Sequence, residues 1–249
     1  MVNRLGCVLV LACAAIAASA RPALAQQTLN FSLGYFMLPR EGRTETDLLL
    51  VEHDSLLFGI SDLSGATFGG EWLVPIGKLF EAGAGVSFLR GKVPTIHRRL
   101  VNSDGSNIPR DLAIRQLPVA LTVRVLPLGQ SYSVQPYFGG GVAVINWRFS
   151  ESGDFVDKTF NPPVPHDTLP TVVPTRNIFS GEHVATGVAA GPMVLFGLRV
   201  SGDTIAFGFE ARHRWARGSF GPDFAEVIAP DIDLDGWTLQ FTAGVRVGA

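Results

Sequence analysis

The chain has 249 residues, 47% of them hydrophobic and only 17% charged, with a formal net charge of −2. Past the N-terminus no apolar run approaches the roughly 18 residues of a membrane-spanning helix, so a membrane protein of this composition must cross with strands. The slightly acidic balance argues against a nucleic-acid partner.

Residues 1–25 read as a secretory signal, with Arg4 in the positive n-region, Leu5 to Ala18 as the apolar core and Ala23-Leu24-Ala25 as the small-residue site before Gln26. The competing reading is a lipoprotein signal at Val10-Leu11-Ala12-Cys13, in which Leu11 is too bulky for its place. Cleavage after Ala25 removes Arg4 and Arg21, leaving 18 basic residues against 22 acidic. Cys7 and Cys13 both lie within the leader, so the processed chain, 26–249, carries no thiol, as suits an oxidising compartment.

The processed chain opens with Thr28 to Leu38, where Leu29, Phe31, Leu33, Tyr35 and Met37 alternate with Asn30, Ser32 and Gly34. That is the period of a half-buried strand. Residues 39–63 read as a long connection with an apolar patch at Leu48 to Val51 that extends the neighbouring strands. Thr67 to Val74 and Leu79 to Arg90 form a hairpin across Pro75-Ile76-Gly77-Lys78. A polar segment, 91–112, then leads into alternation from Gln116 to Val125, followed by the turn Pro127-Leu128-Gly129-Gln130.

The fifth strand, Val134 to Trp147, contains three consecutive glycines that blur its parity. Residues 149–182, rich in Pro and charge, are the longest connection, whereas Val184 to Val200 and Thr204 to Trp215 are joined by Ser201-Gly202-Asp203 alone. Pro192, in the middle of the sixth strand, cannot donate to a ladder, and a β-bulge is expected there. A polar stretch, 217–235, precedes the closing strand, Gly236 to Val247, whose Trp237, Leu239, Phe241, Ala243, Val245 and Val247 oppose Thr238, Gln240, Thr242, Gly244 and Arg246.

Short and long connections thus alternate around about eight strands of about ten residues. A soluble sandwich has no reason to sort its loops by length. The pattern predicts an all-β, antiparallel, up-and-down transmembrane β-barrel with short periplasmic turns and long extracellular loops. Glu71, Glu81, Arg124, Arg199, Glu210, Arg212, Arg214 and Arg246 all fall on the polar parity of their strands. Facing lipid, each would cost about 2–4 kcal/mol at the midplane, so they are expected to line the interior as a charge network. Eight strands enclose an interior that side chains can fill. The expectation is a salt-bridged filling; the sharper alternative is a polar conduit.

Two motifs suggest chemistry. Asp231, Asp233 and Asp235 with Gly236 match the first half of an EF-hand-type calcium loop, yet the twelfth position, which should be a bidentate glutamate, is Thr242. The three aspartates are weak metal candidates, and a solvated acidic loop is the better reading. His213 lies on the outward parity with Phe207, Phe209 and Trp215 and reads as an interfacial residue beside an aromatic belt. No catalytic residue and no cofactor are expected.

Gln135-Pro136-Tyr137-Phe138-Gly139-Gly140-Gly141 and the closing Leu239 to Val247 resemble strands of the small outer-membrane β-barrel proteins of OmpA-like and OmpW-like type. Members of that family commonly end in an aromatic residue read by the barrel-assembly machinery, whereas this chain ends Val247-Gly248-Ala249. The resemblance implies an outer-membrane location and a structural or surface role as a monomer. It also implies contact with outer-membrane lipid and lipopolysaccharide, and with the assembly machinery during biogenesis. Its alternatives are a channel for small apolar solutes and, third, a lipid A-modifying hydrolase. The hydrolases place a His and a Ser two residues apart on a lipid-facing strand; here Trp215 follows His213 at that spacing, and Ser219 lies farther on.

Overall fold

The computed structural model describes residues 27–157, 159–160, 170–220 and 231–247. The leader, with its cleavage site before Gln26, lies outside the described residues, as do Gly248 and Ala249. The strands are β1 (Gln27–Met37), β2 (Gly65–Ile76), β3 (Phe80–Asn102), β4 (Asn107–Val125), β5 (Val134–Val156), β6 (Thr171–Val173), β7 (Ile178–Ser201), β8 (Ile205–Arg214), β9 (Arg217–Ser219), β10 (Asp231–Asp233) and β11 (Gly236–Val247). One helix, α1 (Leu48–Ser55), and a 3₁₀ turn at Ile60–Leu63 lie between β1 and β2.

Eight of these strands form a ring in the order β2-β1-β11-β8-β7-β5-β4-β3, and β3 pairs back onto β2. Every ladder in the ring is antiparallel. Closure leaves no edge, which satisfies every wall strand's backbone without water. Gln27, Val247 and the turns at 77–79, 126–133 and 202–204 share one end of the ring. Gly77 and Gly129 occupy left-handed backbone there, with φ of 69° and 81°, which a side chain would resist.

The ring is turned inside out relative to a soluble protein. Phe31, Leu33, Phe68, Val119, Phe138, Phe207 and Phe241 point outward, Phe241 being 70% exposed, while Asn30, Glu71, Thr122, Arg124, Gln135, Arg199 and Glu210 are buried inside. An outer belt of apolar side chains around a polar interior suits a hydrocarbon solvent and would be unstable in water. The outward apolar faces end on a basic rung at Arg90, Arg115 and Arg148, beyond which the walls continue.

Three expectations are corrected. The segment 91–112 and most of the described part of 149–182 are not loops: β3 and β4 run on to a tight turn at 103–106, and β5 extends to Val156 opposite Ile178. A hairpin clear of the membrane needs ladder bonds but no apolar outer face, so its strands carry no hydrophobic alternation. Residues 39–63 do not extend their neighbours but fold inward as α1 and the 3₁₀ turn. Pro192 makes no bulge, since the β5–β7 register runs unbroken from Val134↔Val200 to Val156↔Ile178. Its carbonyl accepts from Trp215 N–H at 3.0 Å, so its nitrogen points the same way, toward β8 just past the last ladder pair, Met193↔Arg214.

Candidate functional site: the barrel interior

The interior has two storeys. In the lower one, inward parity on β2, β4 and β8 brings together Glu71, Arg124, Glu210 and Arg212. Arg124 is ion-paired to Glu71 and lies 2.9 Å from Glu210; Arg212 is 2.6 Å from Glu71 and also paired to Glu210. Two acids and two bases therefore alternate in a balanced cluster.

The remaining lone pairs are taken up by neighbours. Thr122 Oγ1 donates to Glu71 Oε1 (2.8 Å), Tyr137 Oη to Glu210 Oε2 (3.0 Å) and Gln240 Nε2 to Glu210 Oε1 (2.8 Å). The Arg124 guanidinium also lies 4.9 Å from the Tyr137 ring centroid. The carboxylates are thus fully engaged, while Arg124 Nε and Nη1 have no hydrogen-bond partner among the described residues, and the buried charges persist because each is paired.

Glu81 and Arg199 form a separate pair nearer the short-turn end, at 2.6 Å, with Arg199 Nη2 also donating to Gln135 Oε1 (2.7 Å). Arg214 is held otherwise, donating to Gln116 Oε1 with its guanidinium 4.3 Å from the Phe36 ring centroid. Arg246 is half-buried at the short-turn end, within electrostatic reach of Glu81 and Asp203. Seven of the eight charges thus stack inside the wall, and Arg246 stands near its lower end. Sequence reasoning passed over Thr122, Gln135, Tyr137, Gln116 and Gln240, although all share the inward parity of the charges.

The glycine run has a steric reason. Gly139 and Gly141 face inward, where a Cβ would come within 2.1 Å of the Val123 carbonyl oxygen and 2.0 Å of that of Leu121. Only glycine lets β5 lie this close to β4.

The upper storey is apolar. Leu89, Leu112, Ile114, Ile145 and Trp147 line the wall, and Leu49, Leu56, Ile60 and Leu63 enter from the 39–63 segment, with Ile232 and Leu234 from around β10. Trp147 is fully buried, with Phe220 edge-on at 5.4 Å. Within the lumen two cavities lined by Arg212 and Gln240, the first also by Glu71, measure about 20 and 30 Å³, room for one or two waters each. A wider depression of about 620 Å³ opens at the rim between α1 and β3, lined by His53, Asp54, Ser55, His97, Arg98 and Arg99.

α1 is tied to the wall by a polar clasp above the basic rung. Arg110 on β4 lies 3.9 Å from both Glu52 on α1 and Glu151 on β5, its guanidinium 4.2 Å from the Phe155 ring centroid. Burial, reinforced by the Glu52 carboxyl and opposed by Arg110, raises Glu151 to about 8; burial likewise raises Glu52. This clasp was not foreseen, because its members fall in segments that read as connections.

The other candidates are placed as follows. Asp231 and Asp233 lie on β10, paired with β9, rather than in an open loop. The carboxylates serve the backbone: Asp233 Oδ1 accepts from Asp235 N–H (2.9 Å), and Asp235 Oδ1 from Ala216 N–H. Among the described residues no three His, Cys, Asp or Glu side chains converge on a metal position. His213 faces outward, stacked on Trp215 at 4.4 Å and edge-on to Trp237 at 4.6 Å, while Ser219 sits on β9 opposite Asp231.

The chain is similar to the outer membrane protein OprG of Pseudomonas aeruginosa, with 11% identity over 90% of this chain and 97% of that one, at a TM-score of 0.51. The fold is that of the small outer-membrane β-barrels. Weaker likenesses to this barrel are Neisserial surface protein A (9% identity, 90% and 97% covered, TM-score 0.43) and the attachment invasion locus protein Ail of Yersinia pestis (10%, 90% and 99%, 0.36). No protein-family profile and no curated protein sequence matches the barrel.

Proposed function

We propose that the protein is a non-enzymatic barrel of the Gram-negative outer membrane, with a structural or surface role and a lumen closed to solutes. The short turns, with Gln27 and Val247, face the periplasm, and α1, β6, β9 and β10 face outward from the cell. The observation that carries this reading is the filling of the lumen: a balanced charge cluster below, an apolar plug above, and between them two cavities of about 20 and 30 Å³. An eight-stranded ring is narrow enough for side chains to occupy it.

Planar-bilayer recording of the refolded protein tests this directly. Conductance near zero is expected. Steady conductance by the wild-type barrel would overturn the closed lumen in favour of a channel for small solutes.

A further inference from the structure

We propose that the outer face of β3, β4 and β5 carries a binding site for the phosphorylated headgroup of a lipid in the leaflet at the long-loop end. The site rests on the membrane placement proposed above. Arg90 stands directly opposite Arg115, and Arg115 directly opposite Arg148, so three outward guanidinium groups share one rung. Adjacent strands lie about 4.8 Å apart, which puts the row across roughly 10 Å. Like charges in directly opposed cross-strand positions repel modestly, a cost that a bound anion would offset.

Partners within the protein do not explain it. Arg148 lies 3.6 Å from Glu182, an exposed and therefore weak pair, and the next rung holds Lys92, occupied by Asp111 at 2.8 Å. Among the described residues no carboxylate pairs with Arg90 or Arg115, and both are exposed.

The height and the side of the barrel identify the occupant. Two residues below the row, in the membrane direction, stand Phe88 and Leu117, with Val86, Val119 and Val144 beneath. The arginines therefore sit where hydrocarbon gives way to headgroups. Elsewhere around the ring that boundary carries His213, Trp215 and Trp237, an aromatic cluster without fixed charge. Arginine binds phosphate through two parallel N–H donors, and a row of three suits a lipid bearing more than one phosphate.

The test reconstitutes wild type, Arg90→Gln/Arg115→Gln and Arg90→Lys/Arg115→Lys in phosphatidylcholine nanodiscs containing a bis-phosphorylated lipid A, and counts retained lipid by native mass spectrometry. Folding is checked by the gel shift of the heat-modifiable barrel. Wild type is expected to retain lipid A over its dephosphorylated form, the glutamine variant to lose on the order of thirtyfold in affinity, and the lysine variant to fall between. Equal retention by wild type and the glutamine variant, or equal retention of the dephosphorylated lipid, would overturn the site while leaving the barrel's placement intact. A chain that does not insert into the bilayer at all would overturn the placement, and the site with it.

Discussion

At the scale of single residues, Glu210 is the most constrained group in the barrel. It is fully buried and serves Arg124, Arg212, Tyr137 and Gln240 at once. Glu210→Gln keeps the shape but leaves two guanidinium groups sharing one carboxylate, Glu71. Breaking a buried pair in this way costs on the order of 3–5 kcal/mol, which should appear as a lowered urea midpoint of the refolded barrel. The uncompensated arginines should also attract anions, so any conductance that the loosened filling admits is expected to prefer them. A variant with unchanged midpoint and unchanged selectivity would contradict the cluster's role.

At the scale of elements, α1 is the part of the plug that can be released. Leu49 is fully buried at its start, and truncation to alanine should cost about 2–5 kcal/mol of docking, read as faster hydrogen exchange across 48–63. Glu52 and Glu151 add a pH dependence through the groups around them, Arg110 on β4 and His183 opposite Glu151 on β7. Glu151 is raised in the folded state to about 8 from an ordinary value of 4.5, so the folded form holds the extra proton. The sign follows from linkage: this contribution is fully present below pH 4.5 and is lost as the pH rises through about 8. The protection of α1, meaning its exchange relative to the intrinsic amide rate at each pH, should therefore fall between those limits, and Glu151→Gln, which mimics the protonated carboxyl, should flatten the profile. Equal protection factors for α1 at pH 5 and pH 9 in the wild type would refute the clasp.

At the scale of the whole molecule, the membrane decides which faces can be exchanged. Phe241 projects into the outward apolar belt midway along β11, edge-on to Phe209 at 5.3 Å. Phe241→Arg is expected to cost about 2–4 kcal/mol of stability in bilayers, whereas Phe241→Leu should be nearly neutral. Equal folding yields in lipid vesicles would argue that this face does not meet hydrocarbon.

Much of the architecture was legible in the residues because strand periodicity is local. Alternation along Gly236 to Val247 marks both the strand and its two faces, and the sorting of short turns against long connections implies a closed ring of even count. Parity alone also sends Glu71, Arg124, Glu210 and Arg212 inward. Parity does not give height, however, and it does not say which strands meet across the lumen. The pairing of Glu71 with Arg124 and Arg212, 53 and 141 residues distant, follows from the stagger of the closed ring. Tertiary structure also decided that Leu49 and Leu56 enter the mouth, since an apolar patch in a connection has no periodicity to say what it covers. It likewise made 91–112 into strand, because a hairpin that projects into water needs only its ladder bonds and an inner face, here with Val93 and Leu112, to pack on the plug. Arg90, Arg115 and Arg148 became neighbours only through register, a relation between strands that no single stretch of chain contains.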